Sequence, residues 1–115
     1  MLLRSLGKVA AMKHYEVLIS DKALADMESI YNYIANTLLE HGIAVKQYNR
    51  IADAILTLEQ MPDRIRLIDS EPERSKGLRP LLVDNFTVLF VIRAKKALLQ
   101  RVRILLAVWL RERSY

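Results

Sequence analysis

The sequence predicts an α+β fold of order β-α-α-β-β-β, a helical hairpin packed on a mainly antiparallel sheet. Three observations predict it. Two stretches, Leu24 to Leu38 and Ala44 to Leu58, repeat apolar residues at three- and four-residue spacing and are separated by a short connection, the pattern of two amphipathic helices folded back on each other. Asp84-Asn85 joins two strand-forming runs, and both residue types tolerate the positive φ of a tight hairpin turn. A third run, Leu98 to Val108, follows a looser turn at Ala94-Lys95-Lys96-Ala97.

In chain order, His14–Ile19 places Tyr15, Val17 and Ile19 on one face and reads as a short strand. Ser20 suits a helix N-cap, and Asp21 suits the positive end of the helix dipole. The first helix has Leu24, Met27, Ile30, Tyr31, Ile34 and Leu38 as its apolar stripe, with Asp26, Glu28 and Asn32 off it. His41-Gly42 is expected to end it, since glycine readily takes the left-handed cap conformation. Ala44, Tyr48, Ile51, Ile55 and Leu58 form the second stripe, which stops before Pro62. Pro62 to Ser75 is turn-rich and charged and crosses from helices to sheet. The hairpin then runs through Arg79-Pro80-Leu81-Leu82-Val83 and alternates through Phe86, Val88, Phe90 and Ile92. Pro80 has no N–H for a ladder, which argues that its strand lies on an edge. In the last strand Arg101 and Arg103 are expected on one side, Val102 and Ile104 on the other.

The 115 residues make one domain by size, expected over residues 13–115. Residues 1–12 are expected to be a disordered N-terminal extension or the product of an upstream start, because Arg4 and Lys8 break any continuous signal-peptide core and Met12-Lys13 reads as a fresh start. No run reaches the ~20 apolar residues of a membrane span, so no membrane partner is expected. The chain has no cysteine and only two histidines, His14 and His41, which excludes disulfides and thiolate metal sites and makes zinc improbable. No cofactor or metal is expected, and the absence of cysteine fits a cytoplasmic protein.

Charge is divided along the chain. Residues 13–63 carry four Lys/Arg against eight Asp/Glu, whereas residues 64–115 carry twelve against five. A basic second half fits a polyanionic or acidic partner, or mutual attraction between the halves. No nucleophile–base pair, glycine-rich phosphate loop or metal cluster stands out. The candidate chemistry is therefore a set of cations on strands, Lys76, Arg79, Arg93, Arg101 and Arg103, able to grip a phosphate backbone or another anionic target. The alternative for these residues is an exposed, solvated sheet face. Tyr31, Tyr33 and Tyr48 could stack on bases, but they sit in or beside helical stripes where packing is the commoner use. Leu106 and Trp109 belong to an apolar run near the C-terminus that either completes the core or meets a partner.

These pieces, in this order, resemble the RelE/ParE family of bacterial toxins from type II toxin–antitoxin modules. The resemblance is carried by Ser20-Asp21-Lys22-Ala23-Leu24-Ala25-Asp26-Met27, Ile30-Tyr31-Asn32-Tyr33-Ile34-Ala35, Met61-Pro62-Asp63-Arg64, Gly77-Leu78-Arg79 and Val83-Asp84-Asn85-Phe86-Thr87-Val88-Leu89-Phe90. It implies a growth-inhibiting toxin of the plasmid-stabilisation kind, neutralised by a cognate antitoxin whose C-terminal segment wraps around it, as a homodimer or a toxin–antitoxin hetero-oligomer. It implies one of two targets. ParE-like members inhibit DNA gyrase. RelE-like members are ribosome-dependent mRNA endoribonucleases using basic strand residues and a C-terminal Tyr or His. Arg79 matches the family's arginine opening the central hairpin, and Arg93 ends the following strand; in an enzyme these two would be the catalytic, phosphate-holding groups. The C-terminus departs from the nuclease pattern, running Leu105-Leu106-Ala107-Val108-Trp109-Leu110-Arg111-Glu112-Arg113-Ser114-Tyr115, with its tyrosine only at the last position. The expectation is accordingly a gyrase-inhibiting or degenerate toxin that acts by binding. The alternatives are the mRNA endoribonuclease and a non-toxic nucleic-acid- or protein-binding module on the same scaffold.

Overall fold

The computed structural model describes residues 14–104. The expectation for residues 1–12 falls outside that range. Strand β1 (Glu16–Ile19) leads into helix α1 (Asp21–Asn32), a π-helical turn (Tyr33–Thr37) and helix α2 (His41–Leu56). Short 3₁₀ turns at Thr57–Glu59 and Pro62–Arg64 precede strands β2 (Arg79–Val83), β3 (Phe86–Arg93) and β4 (Lys96–Ile104). The sheet order is β1-β4-β3-β2, with β2, β3 and β4 antiparallel and β1 parallel to β4. The α+β helical hairpin on a mainly antiparallel sheet is therefore present, and Pro80 does lie on an edge strand.

Ser20 starts α1 as expected: its hydroxyl accepts from the Ala23 N–H at 3.0 Å and donates to the Gln100 carbonyl at 3.1 Å. Ala23, Met27, Ile51, Ile55 and Leu58 from the helical layer meet Val83, Phe86, Val88, Phe90, Ala97, Leu99 and Val102 from the sheet in one apolar core. Tyr31 and Tyr48 pack edge to face between the helices, centroids 6.1 Å apart. Their use is packing; Tyr33 is exposed.

Three details correct the sequence reading. Leu24 and Leu38 are exposed, and Ala23 and Ala35 take the buried positions, since small residues let helix and sheet approach closely. Gly42 does not end α1 but lies in the first turn of α2. The left-handed residue in that connection is Leu39, at φ 57°. Asp26, placed off the buried stripe, instead meets the sheet, as described below.

The hairpins are two-residue turns, Asp84-Asn85 and Ala94-Lys95, whose first residues have φ 56° and 55°. The Asp84 carboxylate is tied to α2, accepting from Arg50 Nε at 2.7 Å, Arg50 Nη2 at 2.8 Å and Gln47 Nε2 at 3.1 Å. These bonds, Arg50's first, hold the Asp84 carboxyl down at about 2.

Candidate binding groove on the open face of the sheet

Strand alternation gives β3 two faces. Phe86, Val88, Phe90 and Ile92 turn toward the helices, whereas Thr87, Leu89, Val91 and Arg93 line the opposite face. Cross-strand pairing sets these in rows: Leu82–Thr87–Arg103, then Pro80–Leu89–Arg101, then Val91–Leu98. The segment after Pro62 returns along this face, contributing Ile68, Ser70, Glu73, Lys76 and Leu78. Together they enclose an open groove of about 820 Å³. The β3 positions between Thr87 and Arg93 are aliphatic, Arg103 stands at one end and Lys76 and Arg93 at the other, and Arg101 lies beside Leu89 between them.

A β-bulge makes the distribution of charge possible. Leu89 pairs with Arg101 and Phe90 with Leu99, which leaves Gln100 as the extra residue in β4. Both Gln100 and Arg101 therefore line the groove, and the inward alternation of Ala97 and Leu99 resumes at Val102. The expected placement of Arg101 and Arg103 opposite buried Val102 is observed; Ile104 remains exposed.

The bulge lies where β4 runs past the end of β1, which pairs only as far as Leu99. From there α1 closes the open strand edge. The Ser20 N–H donates to the Leu99 carbonyl at 3.1 Å, and the Val102 N–H donates to Asp26 Oδ2 at 2.9 Å. Arg101 binds the same carboxylate in bidentate fashion, Nε to Oδ2 at 2.7 Å and Nη2 to Oδ1 at 2.9 Å. These bonds, the Arg101 one foremost, lower the Asp26 pKa against the opposing effect of burial.

The five sequence-nominated cations thus fall into three situations. Lys76, Arg93 and Arg103 line the groove and make no side-chain ion pair among the described residues. Arg101 lines it with its charge engaged by Asp26. Arg79 does not join them. It pairs with inward-facing Phe90, and its guanidinium donates to the backbone carbonyls of Ile65 and Asp63, lashing the crossing segment to the sheet. Arg79 and Arg93 share the open end of the hairpin but stand on opposite faces, so the structure does not bring them together around one phosphate. Leu106 and Trp109 fall outside the described residues.

Sequence reasoning missed Thr87. It is 7% exposed, lines the groove, and its Oγ1 has no hydrogen-bond partner. A hydroxyl at an outward position of an otherwise aliphatic strand face was the available signal. Among the described residues that line the groove Glu73 is the sole carboxylate, and histidine, tyrosine and other aromatics are absent. No cluster of three metal-ligating side chains occurs among the described residues, and no helix among them is long and apolar enough to cross a membrane.

A family model described as the ParE toxin of the type II toxin–antitoxin system parDE matches residues 17–115. Among solved structures, one described as the chromosomal ParDE TA system from P. aeruginosa is similar with a TM-score of 0.67 and 23% identity, covering 80% of this chain and 97% of that one. That likeness concerns the fold. No curated protein matches.

Proposed function

The chain belongs to the ParE toxin family of type II toxin–antitoxin systems, and on that premise we propose that it arrests growth by binding DNA gyrase and is neutralised by a cognate antitoxin that covers the same open sheet face. The carrying observation is the composition of the groove. An aliphatic floor with cationic ends suits a protein partner, which can bury apolar side chains on Leu89, Val91 and Leu98 at about 25 cal/mol per Å² of apolar surface. Its cations steer an acidic partner and fix its orientation.

Cleavage of mRNA requires more than phosphate binding. A group must take the proton from the attacking hydroxyl and another must supply one to the leaving oxygen. Among the described residues the groove lining holds no histidine or tyrosine, Arg79 is turned away and Arg101 is engaged by Asp26. This composition favours binding over catalysis, with Lys76, Arg93 and Arg103 as contact residues; Leu106 and Trp109, outside the described residues, are proposed as partner-binding from their apolar run in the sequence alone.

Induced expression with separate measurement of DNA and protein synthesis tests the reading. Replication failing first, with an SOS response and cleaved DNA, is the expected outcome. Translation stopping first would replace gyrase with the ribosome and mRNA as target. Growth unaffected by expression would overturn the toxin reading and leave a binding module. A small open reading frame found immediately beside this one should, if it encodes the antitoxin, restore growth on co-expression.

A further inference from the structure

The groove's two ends carry the information about what fills it. At one end Arg103 sits directly across from Thr87, whose hydroxyl is buried and without a partner. Buried polar atoms in native structures are nearly always satisfied, so such an orphan asks for an explanation. At the other end stand Lys76 and Arg93, with Arg93 Nη1 3.9 Å from where a Cβ on Gly77 would be. Gly77 has φ +79°, backbone that favours glycine, and it brings the crossing segment alongside the Arg93 guanidinium. Thr87 and Arg93 are six residues apart on one strand, about 20 Å at the usual rise. Between them the floor is Leu89 and Val91, flanked by Pro80 and Leu98, with Gln100 and the Asp26-engaged Arg101 on the β4 side.

We propose that this groove is a two-ended carboxylate clamp, which takes an extended segment of a partner protein with acidic side chains six residues apart and apolar side chains between them. One carboxylate is held by Arg103 and accepts from the Thr87 hydroxyl, which rotation about χ1 turns toward the groove. The other lies between Lys76 and Arg93. Side chains on one face of an extended segment recur every second residue, so apolar residues two and four positions after the first acid meet Leu89 and Val91. Glu73, the acidic group in the lining, belongs to the same crossing segment as Lys76 and opposes a carboxylate at that end, where Lys76 and Arg93 outnumber it two cations to one. A nucleic-acid strand is less suited. Single strands are held by stacking bases on aromatic side chains, and among the described residues the lining has none.

The inference rests on reading the open face as the binding platform, not on the identity of the toxin's target. Its test titrates the full chain with a labelled, end-blocked heptapeptide carrying Glu at its first and seventh positions and Leu at its third and fifth. Three comparison probes are the same peptide with Lys for Glu, one with its two Glu adjacent, and an oligouridylate octamer. Saturable binding of the first peptide is expected, with at least tenfold weaker binding of the Lys and adjacent-Glu peptides. Arg103→Glu should weaken binding at least tenfold, and Thr87→Val several-fold. Thermal melts of both variants establish that they are folded, and Thr87→Val removes an orphan hydroxyl without changing side-chain shape. Equal binding of all peptides, no binding of the first, indifference to Arg103→Glu, or Arg103-dependent binding of the octamer in place of the peptide would each overturn the clamp. Growth arrest on expression is scored separately. A toxin that arrests growth without binding the peptide sinks the clamp alone, and a peptide binder that leaves growth untouched sinks the toxin reading alone.

Discussion

Replacing Asp26 by alanine removes a carboxylate that accepts three hydrogen bonds, two from Arg101 and one from the Val102 backbone. The backbone bond sits where β4 has lost β1 as a neighbour, and leaving such a part-buried N–H unpaired costs roughly 1–3 kcal/mol. The Arg101 bonds are discounted, because that side chain is 37% exposed while Asp26 is 17% exposed; about 1 kcal/mol is the appropriate scale for a partly solvated pair. Asp26→Ala should therefore lose about 3 kcal/mol, some 12–24 °C in Tm at ~4–8 °C per kcal/mol for a domain this size. Asp26→Asn keeps an oxygen for Val102 but offers no charge to the guanidinium, and should lose only about 1 kcal/mol. Urea denaturation of the two variants, with Arg101→Gln completing a double-mutant cycle, separates the contributions. The native Asp26 pKa is lowered from 3.8, so its stabilisation is full above that value and lost as pH falls through the depressed native value; the Asn variant should lack this part of the acid limb. Equal losses for Asn and Ala, or an Ala variant within 0.5 kcal/mol of the parent, on the order of a neutral surface substitution, would refute the edge-closing role.

Thr87→Val should raise stability by about 1 kcal/mol, since it exchanges an unpartnered buried hydroxyl for a methyl group of the same shape; chemical denaturation reads this, and destabilisation would mean the hydroxyl is satisfied in solution. Asp84, held down from 3.8 to about 2 by Arg50 and Gln47, contributes stability above its ordinary value that is lost as pH falls toward the native one. Asp84→Asn, which tolerates the φ of 56°, should flatten the fall in Tm across that window. Ala94→Gly and Leu39→Gly relieve left-handed backbone at φ 55° and 57°. Each should gain ~0.5 kcal/mol net of the added unfolded-state entropy, measurable as a Tm rise of a few degrees.

The helices and central hairpin were legible because each rests on a short-range period. Met27, Ile30, Ile51 and Ile55 recur with the helical repeat, and Phe86 to Ile92 alternate. The departures come where long-range packing decides. Which of Ala23 and Leu24 is buried depends on how closely α1 approaches β4, and the parallel pairing of β1 with β4 has no local signature. Arg79 is different, because its face was implicit. A two-residue turn at Asp84-Asn85 pairs Val83 with Phe86 and hence Arg79 with Phe90, and Phe90 alternates inward, so Arg79 must too. The site was legible as a set of cations on the basic half of the chain. It was not legible as a groove, because the wall from Ile68 to Leu78 has no periodicity and the bulge at Gln100 is marked only by two polar residues in succession, Gln100 and Arg101, after an apolar run.

That bulge also couples the fold to the groove. By inserting Gln100 it turns Arg101 to the open face while placing the Val102 N–H against Asp26, so one carboxylate closes the strand edge and occupies a groove cation at once. The charge available to an acidic partner at that end then falls chiefly to Arg103. Asp26→Asn should free Arg101 to bind a carboxylate alongside Arg103, and one added cation near the ligand is worth about 1 kcal/mol at low salt. The expected result is roughly fivefold tighter binding of the heptapeptide with terminal glutamates, an advantage that shrinks as salt is raised, in a protein that is less stable than its parent. Stability and affinity moving in opposite directions distinguishes this from general loosening of the sheet, which would weaken both. Unchanged affinity would mean that Arg101 stays bent toward α1 without its partner, and that the groove's charge is set by the bulge and not by Asp26.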